Sequence, residues 1–443
     1  MRGIPVRLAV LALLSLPAHA EDLMQVFRAA QAYDAQYASA RAAREAGRES
    51  LPQGLALLLP TLSASAFTQW NDIDISFRAT LPPSPREGNT NGVSLTLTQP
   101  LFNWQSLSIY KQAGFRVAQA KALYAQALQD LIVRAAQAYF DVQTSQESLA
   151  FIQAQKVAIS EQLAQAKRNF EVGTATITDT HEAQARYDLS TSQEIAAQND
   201  LEIRRRTLQQ ITGKFPEKLT PLKSKIDISL PKPNVMDTWA QAAQAENLAV
   251  RAQEAATTVA KYEIERTRAG HLPSLNLVGN VGRNAAGVST VGTTSVASDS
   301  ISRTISLQLA IPLYAGGSVD SLVRQSIANH ERAQQDLENA RRSAALAARQ
   351  AFLGVTNGTA QVKALEAALV SSQSALDSNK LGYEVGVRIN IDVLNAQQQL
   401  FSTKRDLAKA RYDTIVNGLK LKAAAGTLNE ADLEEVNRLL GTD

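Results

Sequence analysis

The sequence predicts a mainly α fold with a small β part: a duplicated repeat of long coiled-coil helices carrying four β-strands suited to a membrane. Three observations predict it. The chain matches itself 213 residues on, where Leu59-Pro60-Thr61-Leu62 recurs as Leu272-Pro273-Ser274-Leu275, Phe170-Glu171-Val172-Gly173 as Tyr383-Glu384-Val385-Gly386, and Asp179 as Asp392. A repeat this long is two copies of a whole structural unit, not a short solenoid module. An Ala/Gln/Leu-rich heptad pattern runs from Gly114 to Phe170. Four short segments abandon the helical period for alternation of apolar and polar residues.

Residues 1–20 read as a cleaved secretory signal. Arg2 and Arg7 precede an apolar run from Leu8 to Leu16, and Ala18-His19-Ala20 forms a small-residue cleavage site. The run falls short of the roughly 20 residues that a membrane-spanning helix needs. The first structural repeat then occupies 21–213, a connector 214–235, the second repeat 236–426 and a C-terminal segment 427–443.

Within each repeat the helices come in three stretches. The first run over about 22–57 and 236–270. The second begins near residue 104 in the first repeat. Its heptad a positions are Gly114, Lys121, Leu128, Ala135, Val142, Leu149, Lys156, Leu163 and Phe170; its d positions are Val117, Tyr124, Leu131, Ala138, Ser145, Ile152, Ile159 and Ala166. Only Lys121, Ser145 and Lys156 are plainly polar. A helix over 104–170 extends about 100 Å at 1.5 Å per residue. The second copy repeats the seam with Val355, Val362, Leu369, Leu376 and Tyr383, and small residues such as Ala344, Ala348 and Ala351 let backbones approach closely. Gly173 and Gly386 mark turns into the third stretch, over 179–212 and 391–425.

The strands are placed at 62–70, 93–99, 275–283 and 301–311, joined by Pro/Gly/Asn/Ser/Thr-rich loops at 71–92 and 284–300. One reading is two hairpins packed on a soluble core. The other is membrane strands, because segments of 9–11 residues suit a tilted bilayer crossing and the small polar face suits a wet lumen. Four strands cannot close a barrel, and an open edge in lipid is prohibitively costly. Membrane insertion therefore requires several copies of the chain, without fixing their number.

Composition narrows the function. The chain has 45 basic and 42 acidic residues, and the balance is nearly even once the two signal arginines are set aside, so charge argues for no nucleic-acid partner. There are no cysteines, which excludes disulfides, thiolate metal sites and a cysteine-borne lipid anchor. Downstream of the signal the histidines are His181, His271 and His330, widely separated and without metal-ligand spacing. Ala315-Gly316-Gly317 lacks the Lys-Ser/Thr of a phosphate loop. No cofactor is expected, and no catalysis.

The motifs resemble the TolC family of outer-membrane efflux and secretion channels, in its non-lipidated branch. The resemblance covers the chain from Glu21-Asp22-Leu23-Met24-Gln25-Val26 through Gly270-His271-Leu272-Pro273-Ser274-Leu275, Ile311-Pro312-Leu313-Tyr314-Ala315-Gly316-Gly317 and Tyr383-Glu384-Val385-Gly386 to Gly426-Thr427-Leu428-Asn429-Glu430. It implies a homotrimer, with four strands per protomer in one 12-stranded barrel in outer-membrane lipid and the helices continuing as a periplasmic α-barrel. It implies a belt built from the connector and the C-terminal end. Pro60, Pro100, Pro273 and Pro312 then stand where strand meets helix, where proline stops one hydrogen-bond pattern before the other begins. The implied partners are a periplasmic membrane-fusion adaptor and an inner-membrane RND, MFS or ABC transporter.

The resemblance further implies a gate at the glycine turns. Tyr383, Arg388 and Asp179 match gate residues, and Asp392 and Asn395 match two acidic rings at the entrance. The chain departs at two of them: Asn395 makes the second ring a neutral amide, and Arg168 replaces a glutamine. Read from the residues alone, Asp179 and Asp392 open helices as caps, Asp179 with Glu182 resembles a capping box, and Tyr383 closes a heptad seam. The expected function is a passive trimeric exit duct for tripartite efflux or type I protein secretion. A periplasmic coiled-coil scaffold or adhesin stalk is the alternative; it accounts for the heptads but not for the paired alternating segments.

Overall fold

The computed structural model describes residues 20–75, 84–223, 226, 229–291 and 294–441, so the signal call lies almost wholly outside the described residues. The chain divides into two compact units. One comprises Met1–Ser39, Ala127–Asn247 and Ala344–Asp443; the other comprises Ala40–Gln126 and Leu248–Ser343.

The first unit holds helix α1 (Leu23–Tyr33), the C-terminal part of α4 (Trp104–Glu171), α5 (Ile177–Thr212), α6 (Met236–Glu246), the C-terminal part of α8 (Ser318–Glu384), α9 (Asn390–Ala424) and α10 (Glu430–Asn437). The predicted seam of α4 is buried here: Leu131, Ala135, Ala138, Val142, Ile152, Ile159, Leu163 and Ala166 are all enclosed. Two of its polar exceptions are answered by α5. The Ser145 hydroxyl donates to Asp200 at 2.6 Å, and Lys156 Nζ pairs with Glu194 at 2.8 Å. The seam fades in the second unit, where Gly114 and Lys121 are exposed, and at the turn, where Phe170 is exposed.

Aromatic packing fixes the middle of this unit. Phe140 meets Tyr139 edge-on at 5.4 Å and stacks on Tyr412 of α9 at 5.3 Å. The Tyr412 hydroxyl donates to Glu147 at 2.5 Å; burial nevertheless pushes the Glu147 carboxyl above its ordinary range. The connector ties the chain ends together. Glu21 pairs with Leu219 in a parallel bridge and Leu222 with Leu440 in an antiparallel one, while the Tyr139 hydroxyl donates to the Thr220 carbonyl at 2.6 Å.

The helix expected over 22–57 is in fact three, α1, α2 (Ala35–Arg48) and α3 (Ser50–Ala56), and that over 236–270 is two, α6 and α7 (Leu248–Arg268). The breaks at Asp34 and Asn247 stand 213 residues apart, so the interruption belongs to the repeat. Both residues leave the helical region at ψ near 120–130°, and both are tied down by side-chain hydrogen bonds. Asp34 accepts the Tyr37 amide at 2.6 Å and two bonds from the Arg134 guanidinium at 3.0 Å. The Asn247 side chain donates to the Ala424 carbonyl at 2.9 Å.

The second unit contains α2, α3, the N-terminal parts of α4 and α8, α7, and the strands. These are β1 (Thr61–Ile75), β2 (Ser84–Phe102), β3 (Ser274–Val291) and β4 (Thr294–Ala310), forming one antiparallel sheet in the order β1-β2-β3-β4. The strands run well past the predicted limits, into both segments assigned to loops. Alternation is visible only where the two faces differ in polarity; towards the hairpin ends both faces are polar, yet the backbone ladder continues. Pro60 and Pro273 immediately precede β1 and β3. Pro100 sits at a register shift near the end of β2, and Pro312 lies just past β4.

Burial alone would raise the Asp34 carboxyl, but the bonds from Arg134 and Tyr37 outweigh it and hold the carboxyl below its ordinary range. Its stabilising contribution is therefore present above the unfolded-state value and is lost as pH falls through the folded one. Asp34→Ala strands the Arg134 charge and should cost about 3 kcal/mol in urea unfolding at pH 7. The deficit relative to the parent should shrink on acidification.

Candidate functional site

The sheet sorts its side chains by row. On one face the cross-strand rows read Leu62–Leu97–Gly279–Ile305, Ala64–Leu95–Val281–Arg303 and Ala66–Val93–Arg283–Ile301, with Leu277–Leu307 and Leu275–Leu309 nearer the helices. The intervening rows on the other face read Ser63–Thr96–Asn280–Thr304 and Ser65–Ser94–Gly282–Ser302. The first three apolar rows cross all four strands, broken by the two arginines, whereas the Leu277–Leu307 row meets Gln99 on β2. The polar rows are stitched by Asn280 donating to Thr96 at 2.9 Å and by the Ser65–Ser94 hydroxyl pair at 2.8 Å. The greasy face is uncovered within the chain: Leu62, Leu95, Leu97, Ile301 and Leu307 are exposed, and Ile305 is 84% exposed. Beyond the strands, Leu313 and Tyr314 are exposed as well. Among the described residues, no helix is long and apolar enough to cross a membrane.

The second cluster of sequence-predicted residues lies at the two glycine turns, in the first unit. Gly173 and Gly386 both adopt φ +79°, the left-handed conformation that closes a helix at low cost for glycine. The Thr174 amide donates back to the Asn169 carbonyl at 2.8 Å and the Val387 amide to that of Gly382 at 2.9 Å, so the two turns are built alike.

The equivalent aspartates then diverge, because the residues that precede their helices differ. Thr176 caps α5 and forms a capping box with Asp179, whose Oδ2 accepts both the Thr176 amide at 2.9 Å and its hydroxyl at 2.8 Å. Asp179 therefore closes the box from the helix side; it is neither the cap nor paired with Glu182. Ile389, the counterpart of Thr176, has no side chain to cap α9. The Asp392 carboxylate turns instead to Arg388, at 3.6 Å. Arg388 folds back over α8 at Gly382, where a Cβ would come within 2.7 Å of its Cγ.

Tyr383 accepts a hydrogen bond at 3.1 Å from Asn169, which joins the end of α8 to the end of α4. Asn395 is exposed, and its side-chain oxygen accepts from Arg186 of α5 at 2.9 Å; the other arm of that guanidinium donates to Gln398 at 2.5 Å. Arg168 is exposed in the last turn of α4, where a cation opposes the helix dipole, and its side chain has no partner among the described residues. Beneath these groups Leu394 packs with Ile159, Leu163, Ala166 and Ala183, while its neighbour Val393 packs with Leu376 and Leu400. The start of α9 is thus wedged between α8 and the α4–α5 pair. The Gln162 amide adds a buried bond to Asn390 there.

Arg186 and Asn169 were not singled out from the sequence. Their only signal is positional: Arg186 stands 213 residues before Gln399, so its role is not shared by the other copy.

Comparison with known proteins agrees with this geometry. The profile described as outer membrane efflux protein matches residues 26–214 and 239–427, two segments displaced by the same 213 residues as the internal repeat. The outer membrane protein TolC of Vibrio cholerae is 34% identical over 97% of this chain and 96% of its own. The alkaline protease secretion protein AprF of Pseudomonas aeruginosa is 31% identical over 97% and 89%. In the solved structures, the CmeC outer membrane channel of Campylobacter jejuni superposes with a TM-score of 0.80 at 18% identity, covering 95% of this chain and 90% of that one.

If Ile389 leaves α9 without a side-chain cap, Ile389→Thr should rebuild the capping box of the first turn. Hydrogen exchange at residues 390–393 should slow roughly fivefold, equivalent to about 1 kcal/mol.

Proposed function

Because the chain belongs to the outer membrane efflux protein family, we propose that it is a homotrimeric exit duct of the outer membrane, serving efflux, protein secretion or both. The observation that carries this is the sorted sheet. A membrane strand must offer hydrocarbon to lipid and polar groups to the lumen, and here apolar and polar rows alternate across the four strands, with Arg283 and Arg303 as charged exceptions on the apolar face. The sheet also ends on two unpaired edges, β1 and β4, which lipid cannot solvate. Three copies joined edge to edge make a closed barrel of 12 strands, in which each β4 pairs with a neighbour's β1. A coiled-coil scaffold or stalk has no use for such a face.

The two turns form the periplasmic entrance in this reading. Polar links at the wedge of α9 hold it shut: Asn169 to Tyr383, Arg186 to Asn395 and Gln398, and Arg388 to Asp392. The last link pairs the Asp392 carboxylate, which would otherwise ring the entrance with negative charge, while Arg186 occupies the neutral Asn395. A periplasmic adaptor and an inner-membrane transporter would break these links and supply the driving force, since the chain offers no nucleotide motif. The kinship with TolC and with a protease secretion protein supports both an efflux and a type I secretion partner.

Purified protein in planar bilayers should form channels of low resting conductance. Arg388→Ser and Arg186→Gln should each raise that conductance several-fold, and together more than either alone. Fractionation should leave the chain in the outer membrane as a detergent-resistant trimer; release with soluble periplasm would favour the scaffold.

A further inference from the structure

Two cations interrupt an otherwise apolar face. Arg283 on β3 and Arg303 on β4 are diagonal neighbours across the ladder, since Arg283 pairs with Ile301 and Arg303 with Val281. Diagonal side chains of this length reach a common point. Arg283 is braced by Asp299, at 2.6 Å, and stays well exposed. Arg303 is exposed, with no hydrogen-bond or ion-pair partner among the described residues. The one carboxylate thus pairs with Arg283 alone, leaving the cluster with a net positive charge on the face that meets lipid.

Beside the pair the sheet surface dips. A shallow depression of about 360 Å³ is walled by Ala64, Val93, Leu95, Val281 and Ile301, with Arg283 at its rim. Its lining is almost wholly apolar. The depression lies at mid-strand in β2, β3 and β4, on the last apolar rows before the hairpin half of the sheet. The next row outward on this face turns polar, with Thr68, Asn91 and Asp299, and Trp70 follows. Tryptophan beside small polar groups marks the level at which a bilayer gives way to headgroups.

We propose that this cluster binds a phosphorylated lipid of the outer leaflet, its phosphate on Arg283 and Arg303 and one acyl chain in the depression. The proposal rests on the membrane reading above. Guanidinium forks match phosphate oxygens with paired, charge-assisted hydrogen bonds. An unpartnered arginine on a lipid-facing strand is destabilising unless an anion meets it. The apolar depression distinguishes a lipid from free phosphate, which would use the two arginines alone. Asp299 holds Arg283 upright, so the site is formed before the lipid arrives.

The test uses the full-length trimer in detergent, titrated with diphosphoryl lipid A, with its dephosphorylated counterpart of identical acyl chains, and with inorganic phosphate. The parent protein should bind the diphosphorylated lipid at least tenfold more tightly than the dephosphorylated one, and millimolar phosphate should not displace it. Arg283→Gln/Arg303→Gln should abolish that preference while keeping the heat-resistant trimer and the bilayer conductance. Arg303→Gln alone, which leaves the Arg283–Asp299 pair intact, should weaken binding severalfold and guards against a folding defect in the double variant. Unchanged binding by both variants, equal binding of the dephosphorylated lipid, or full displacement by inorganic phosphate would each overturn the lipid site. A parent protein that forms no trimer and no channel would instead overturn the membrane reading beneath it.

Discussion

Among the described residues the outer edges of β1 and β4 pair with no other strand, and one face of their sheet carries exposed apolar rows broken by two arginines. These two facts constrain everything else. In water the face would drive aggregation and the edges would template it; in lipid the face is satisfied, and the edges become intolerable unless they close. Only a barrel shared among copies meets both demands.

Exact repetition would make such a wall but not a door. The two turns share a φ of +79° at Gly173 and Gly386, and their aspartates occupy the same position in the following helix. Two differences separate them: Thr176 satisfies the start of α5 with its own hydroxyl whereas Ile389 gives α9 no side-chain cap, and Arg388 stands where the first turn has Ala175. Asp179 is consumed by its helix terminus. Asp392 remains available to Arg388, and the start of α9 is held by side chains of other helices instead of by its own cap. A helix end stabilised from outside is one that can be released from outside, and this is the physical basis for placing the entrance control in the second copy.

Charge follows the same logic. Arg186 engages Asn395, a neutral side chain where the resemblance implied an acidic ring, and Arg388 pairs with the remaining aspartate. The proposed entrance is thereby less negative than the resemblance alone would give. On the sheet, by contrast, two arginines sit where no charge is needed for barrel closure, which makes them informative about what lies outside the barrel.

The sequence by itself determined the repeat, the long helices, the glycine turns and the polarity of the strands, because each is a local or periodic property: a left-handed turn needs glycine, a seam needs its heptads, a two-faced strand needs alternation. It also held the Asp34 and Asn247 breaks in plain view at the repeat spacing, but a helix interruption made by a side chain's distant partner, Arg134 or Ala424, has no local signature. The strands outran their alternation for a related reason, since a ladder persists wherever backbones pair, whether or not the two faces differ. Tertiary structure alone decided the β2–β3 pairing that merges the two hairpins into one sheet, the meeting of Arg186 with Asn395 and Gln398, and the different fates of Asp179 and Asp392. The first two join groups far apart in the chain and are settled by packing; the third turns on short-range contacts, Thr176 with Asp179 and Arg388 with Asp392, whose geometry the folded turns fix.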